Sequence, residues 1–204
     1  MQSAIPDVLD LSTETQSTID LYGVNHPDEK VSSYALQCLR ARRLIESGVR
    51  FVEITANPLG ISNGTWDQHD NLKQGHETNA RVVDRAISAL LSDLKQRGLF
   101  DETLVLCTGE MGRTPHTANG DGRDHHVAGF TAWLAGAGIR GGTIYGETDE
   151  LGMNAVENVT TVHDLHATIL HLLGLDHERL TYRYGGREMS LTDIHGQVVE
   201  GILA

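Results

Sequence analysis

Residues 78–98, TNARVVDRAISALLSDLKQRG, place Val83, Ala86, Ile87, Leu90, Leu91 and Leu94 at the spacing of a helix with a single apolar face. Gly98 supplies the stop. The chain then turns at Asp101-Glu102 and enters a short apolar run, TLVLC, inside 103–108. An amphipathic helix followed directly by a short apolar strand can bury both surfaces only by layering helix on sheet. This one juncture therefore points to an α/β fold.

The rest of the chain repeats the alternation. Residues 32–48 set Tyr34, Cys38, Ala41 and Ile45 on one helical stripe, with Gly48 as C-cap. VRFVEIT (49–55) reads as a strand, and ANPLGISNGTWDQHDN after it as a loop. FTAWLAGAG (130–138) is a further strand, GTIYGETD a shorter one, and 160–174 a helix in which Thr161 and Asp164 have capping-box spacing. The tail after Arg187 predicts a last short helix. The order helix, strand, helix, strand, strand, helix predicts an α/β/α layered sandwich with a mostly parallel sheet. Residues 1–30 read as an irregular arm and 31–204 as a single domain. Parallel sheets bind ligands at the carboxyl ends of their strands. The loops after 49–55 and 103–108 both leave such ends and are expected to meet in space.

Composition narrows the partners. The net charge of −12 over 204 residues repels nucleic acid and anionic membranes, so neither is expected. It leaves room for a local basic pocket that grips a small anionic ester. No apolar run reaches the length of a membrane span. The opening MQSAIPDVLDLSTE has neither the basic nor the apolar region of a signal peptide. Two cysteines, Cys38 and Cys107, read as small core residues rather than as a disulfide framework.

Eleven histidines sit mostly beside Asp, Glu or Gly; four stretches carry the candidate chemistry, and His26, His76, His116, His177 and His195, outside them, read as surface. In TWDQHDN, Asp67 and His69 are two apart, so an extended backbone points both the same way. They read as half of a metal site, or as a loop in which Asp67 caps a turn. In GEMGRTP, Glu110 is a ligand or general base and Arg113 a fork for an anionic oxygen; alternatively the two form an i,i+3 ion pair. In GRDHH, adjacent side chains diverge, so one of Asp124, His125 and His126 ligates while another orients it. On 160–174, His163 and His166 are helical neighbours; His163 reads as a residue at the rim of the site, and His171 as packing or solvated. Mixed carboxylate and imidazole donors suit Zn, Mn or Fe, and Ca or Mg less well.

Taken together, GTWDQHDN, TLVLCTGEMGRTP, GRDHH and VHDLHATILHLLGLDHERLTYRYGGREMSLTD resemble the DUF1501 family, over nearly the whole chain. The resemblance implies an alkaline phosphatase- and sulfatase-like fold and a divalent metal centre, Zn or Mn before Ca, Mg or Fe. It also implies hydrolysis of phosphate or sulfate esters. It assigns Asp67, His69, Glu110 and His125 as metal ligands, with Asp124 as ligand or partner, and Arg113 and Glu110 as catalytic. His126 and His163 would orient the ligands. Glu110 stands where the superfamily has Asp, and Met111 where it has His. Members of the family are often exported and about twice this length, so this chain resembles their C-terminal half. A strand–Asp–nucleophile unit is not found before residue 49, and the nucleophile stays unassigned. The remainder is expected either from a longer chain of which this is a piece or from a second copy or a partner chain. The competing expectation is a degenerate domain that binds metal or ligand without turnover.

Overall fold

A computed structural model of the chain describes residues 5–56, 66–117 and 120–204. Part of the loop read after 49–55, and Ser3 of the arm, lie outside these residues. The chain forms two compact units: Met1–Thr103 with His116–Arg123, and Leu104–Pro115 with Asp124–Ala204.

The first unit is helical: α1 (Ile5–Leu9), α2 (Gln16–Tyr22), α3 (Glu29–Glu46) and α4 (Leu72–Gln96). The arm expected to be irregular is thus partly helix. Thr15 caps α2 by accepting the Thr18 amide, and Gly23 ends it at φ +83°, a conformation that suits glycine. Asp28 caps α3 through the Lys30 amide. Against expectation, 49–55 forms no strand, and Phe51 is 76% exposed.

The packed stripe of α4 is Asn79, Val82, Ala86, Ala89 and Asp93, with Leu94 buried beside it. It alternates steps of three and four, as a close helix pair requires. Ala86 and Leu94 are buried as the sequence predicts, whereas Val82, Ala89 and Asp93 take the interior places expected of Val83, Leu90 and Leu91. Alanines occupy its centre and meet Ala35, Cys38 and Leu39 of α3, while Val83, Ile87 and Leu90 flank the core half-buried. Small residues allow the two backbones to approach, and larger ones then seal the edges.

A charged group closes this core. Arg42 is 1% exposed and lies 2.7 Å from Glu14, 2.7 Å from Glu46 and 2.8 Å from Asp93. Arg97 adds contacts of 2.7 Å to Asp93 and 2.9 Å to Glu46, and Tyr22 Oη donates to Asp93 at 3.1 Å. Burial pushes the Tyr22 hydroxyl well above its ordinary range, and the Asp93 charge adds to that. Burial pushes Glu14 up as well, but hydrogen bonds from Arg42 and Arg43 outweigh it and hold the carboxyl below its usual value. Burial likewise raises the Cys38 thiol to about 12, which makes it inert.

The second unit has four two-stranded antiparallel pairs. β1 (Val105–Cys107) pairs with β4 (Trp133–Ala135), and β2 (Gly112–Arg113) with β3 (His125–His126). β5 (Glu147–Thr148) pairs with β6 (Ala155–Glu157), and β7 (Thr181–Tyr184) with β8 (Arg187–Ser190) across Gly185-Gly186. Both glycines have positive φ, the requirement of a two-residue hairpin turn. The mostly parallel sheet read from the alternation is absent among the described residues. Parallel strands need a crossover, and no helix is described between Cys107 and Trp133. Cys107 is exposed, not core.

α5 (Val162–Leu172) begins with the expected capping box. Thr161 accepts the Asp164 amide, and Asp164 accepts the Thr161 amide. The C-terminal segment lies along this helix. Val199 donates to Thr168 Oγ1 at 2.9 Å and Gln197 to Asp164 Oδ1 at 2.8 Å. Ala167, Thr168, Leu170, Thr192 and Val199 are the buried residues there. The tail expected as a last short helix starts with β8 and ends in a 3-10 turn at Glu200–Ile202. No helix of the described residues is long and apolar enough to cross a membrane.

Candidate functional site

The Asp67–His69 segment is fixed by what lies between its two reactive residues. Gln68 is 9% exposed and packs on Gly75 of α4, where a Cβ would fall 2.5 Å from Gln68 Cγ. Only glycine admits this contact. Trp66 meets the ring of His76, also on α4, edge to face at 5.4 Å. With Gln68 turned in, Asp67 and His69 stay about half exposed, and His69 Nε2 lies 3.2 Å from Asp67 Oδ1. The two-residue spacing delivers what it implied, a carboxylate and an imidazole side by side.

The segment 120–123 is bonded onto the same loop. Arg123 donates its amide to the Gln68 carbonyl at 3.0 Å, and Asp121 Oδ1 accepts the Asn71 amide at 2.8 Å. Gly122 sits so close that a Cβ would fall 1.9 Å from the His69 carbonyl oxygen. Segments about 50 residues apart thus meet as expected, through backbone stitching and not through a parallel sheet edge.

In the second unit, Arg113 faces His125 across the β2–β3 pair, and Gly112 faces His126. Thr114 and Asp124 extend the pairing. The Thr114 amide donates to the Asp124 carbonyl at 2.9 Å, and the Asp124 amide to Thr114 Oγ1 at 3.0 Å. Gly112 permits a close approach, since a Cβ would lie 2.3 Å from the Gly129 carbonyl oxygen. Glu110, 70% exposed, is 3.9 Å from the Arg113 guanidinium, which is the ion-pair geometry that sequence left open. At this distance, and with Glu110 so exposed, the pair contributes little stability.

His126 Nε2 bonds the Met153 carbonyl. The turn presenting that carbonyl is held by Asp149, which accepts the Met153 amide at 2.8 Å and the Asn154 amide at 3.0 Å. The Met153 amide first, with Asn154, keeps the Asp149 carboxyl below the usual range. His126 is therefore anchored structurally. His163, in the first turn of α5, lies against His195, with ring centres 5.9 Å apart. His166 is turned back to the Val162 carbonyl at 2.8 Å and does not pair with it. Gln68 and Gly122 escaped sequence reading, and His195, read as surface, is exposed. Glycine next to a charged run was the one available sign for Gly122.

In the first unit Asp67 and His69 each offer one atom that could hold a metal ion, and in the second unit His125 offers another. The Asp67–His69 pair is suited to hold a cation or to pass a proton; Arg113 is suited to bind an oxyanion. Neither curated proteins nor solved structures provide a match to the chain. One family does, described as "Protein of unknown function (DUF1501)", and it matches residues 1–203.

Proposed function

The chain belongs to the DUF1501 family, and from that premise we propose a metal-dependent hydrolase of phosphate or sulfate esters, of alkaline phosphatase- and sulfatase-like type. Asp67, His69 and His125 would hold the divalent ion, with Asp124 and Glu110 as further donors. The observation that carries the reading is the stitching of Gly122 and Arg123 onto Gln68 and His69. His125 follows Arg123 by two residues, so covalent geometry keeps its Cα within about 7 Å of the Arg123 Cα. A carboxylate with two imidazoles fits Zn, Mn or Fe better than Ca or Mg.

When bound, such an ion polarises the ester and neutralises charge that builds up on oxygen. The chain's own part is positioning. The buried Gln68 holds Asp67 and His69 outward. Arg113 would orient the nonbridging oxygens of the anion. Glu110, exposed and acidic, takes or returns a proton at the reacting oxygen.

A second reading, metal or ligand binding without turnover, is favoured by the hydroxyls before α3. Ser12 Oγ donates to Asp10 Oδ2 at 2.7 Å, and Thr15 caps α2. Both are engaged in holding turns and helix ends. One experiment separates the readings. Chelator-treated protein is reloaded with Zn²⁺ or Mn²⁺ and assayed on nitrophenyl phosphate and nitrophenyl sulfate. Metal uptake with turnover, both lost in His69→Ala, supports hydrolysis. Uptake without turnover supports the second reading. Full uptake by both Asp67→Ala and His69→Ala refutes the site.

A further inference from the structure

We propose that His163 and His195 form a separate site for an imidazole-preferring transition ion of the Zn²⁺ or Cu²⁺ class, which clips the C-terminal segment to the start of α5. The ring centres lie 5.9 Å apart with planes at 64°. Two imidazoles sharing one ion hold their centres on the order of 5–6 Å apart, given metal–nitrogen bonds of about 2.0–2.1 Å. Small rotations of two side chains therefore suffice to close the site.

The two backbones are already fixed against each other. A Cβ on Gly196 would fall 2.9 Å from the His163 carbonyl oxygen. The His195 amide donates to Thr192 at 3.2 Å, and the Gln197 amide to Asp164 at 2.8 Å. A ligand pair held this way loses little conformational freedom on binding. Asp164 places a negative charge beside His163. The imidazole donors favour Zn²⁺, Cu²⁺ or Ni²⁺ and disfavour Mg²⁺ and Ca²⁺, which require oxygen. The remaining coordination positions face solvent, since His195 is exposed. None of this depends on the hydrolase reading or on Asp67 and His69.

The probe is Cu²⁺ alone, titrated into the full chain with calorimetry and with electron paramagnetic resonance to count nitrogen ligands. His163→Gln and His195→Gln are each expected to weaken one equivalent by about tenfold or more. The double variant should lose no more than either single one. His171→Gln, an exposed histidine on the same helix, should leave the equivalent intact, as should His69→Ala. Far-ultraviolet circular dichroism verifies that each variant keeps its helix content. His195→Ala, in an exposed turn, provides a second test if His163→Gln unfolds. Retention of the equivalent in His195→Gln and His195→Ala, or its loss in His69→Ala, overturns the proposal.

Discussion

A side-chain carbon on Gly122 would lie 1.9 Å from the carbonyl oxygen of His69, so these two residues can adjoin only while position 122 has no side chain. Gly122→Ala must push the two segments apart or strain the Arg123–Gln68 bond. Destabilisation of about 1–3 kcal/mol is expected, read as a lower urea midpoint. Gly120→Ala provides the contrast. Nothing lies within 4 Å of its added carbon, although φ is +82°, so its cost is backbone strain alone, about 1 kcal/mol.

Arg42 is the charge on which three carboxylates depend. Arg42→Met removes the buried cation that Glu14 and Asp93 share, leaving Arg43 on Glu14 and Arg97 on Asp93. Breaking a buried pair on one side costs about 3–5 kcal/mol, so chemical denaturation should shift strongly. Adding Glu14→Gln and Asp93→Asn to Arg42→Met should recover much of that loss, because the stranded charges disappear. No recovery in the triple variant would mean that shape, not charge, sets the cost.

The same network gives a pH prediction. The Glu14 carboxyl is held below its ordinary value of 4.5 in the folded chain. It therefore binds its proton less readily folded than unfolded. Its stabilisation is fully present above about pH 4.5 and is lost as pH falls through the lowered folded value. Thermal midpoints measured from pH 6 downward should fall less steeply in Glu14→Gln than in the parent chain.

Asp164 serves two segments at once. Its Oδ2 accepts the Thr161 amide at 2.7 Å, and its Oδ1 accepts the Gln197 amide at 2.8 Å. Burial raises this carboxyl, but the bonds from Thr161 and Gln197 outweigh it and hold it low. Asp164→Ala should cost about 1–2 kcal/mol through the lost cap. Hydrogen exchange should quicken at Gln197 and Val199 together with the first turn of α5. Faster exchange in α5 alone would mean that the tail is held elsewhere.

Much of the local structure was legible because local rules decide it. The capping box at Thr161 and Asp164, the long helix ending near Gly98 and the strand at Val105–Cys107 follow from period and capping. The sheet was not legible. An apolar run such as TLVLC does not encode the direction of its partner, and β4 pairs with it antiparallel. The α4 face was misread for a related reason. Ala89 outranks Leu90 and Leu91 at a close helix contact, and Asp93 is interior because Arg42, Arg97 and Tyr22 meet it there. At the candidate site, Asp67 and His69 were found as a pair from their spacing. Gln68, Gly75 and Gly122, which hold them, carry no chemical signature. His195 became visible only once the tail was seen against α5.

The alternation across Trp66–His69 has a consequence for how this loop tolerates change. Gln68 points in and its neighbours point out, although the segment forms no strand among the described residues. Its parity is set by a single pocket, the space above Gly75. One residue inserted between Gln68 and His69 would invert His69 and bring it to the buried side, while two would restore its outward direction. The loop is thus tolerant in length but not in phase, and drift by insertion or deletion can proceed there only in even steps.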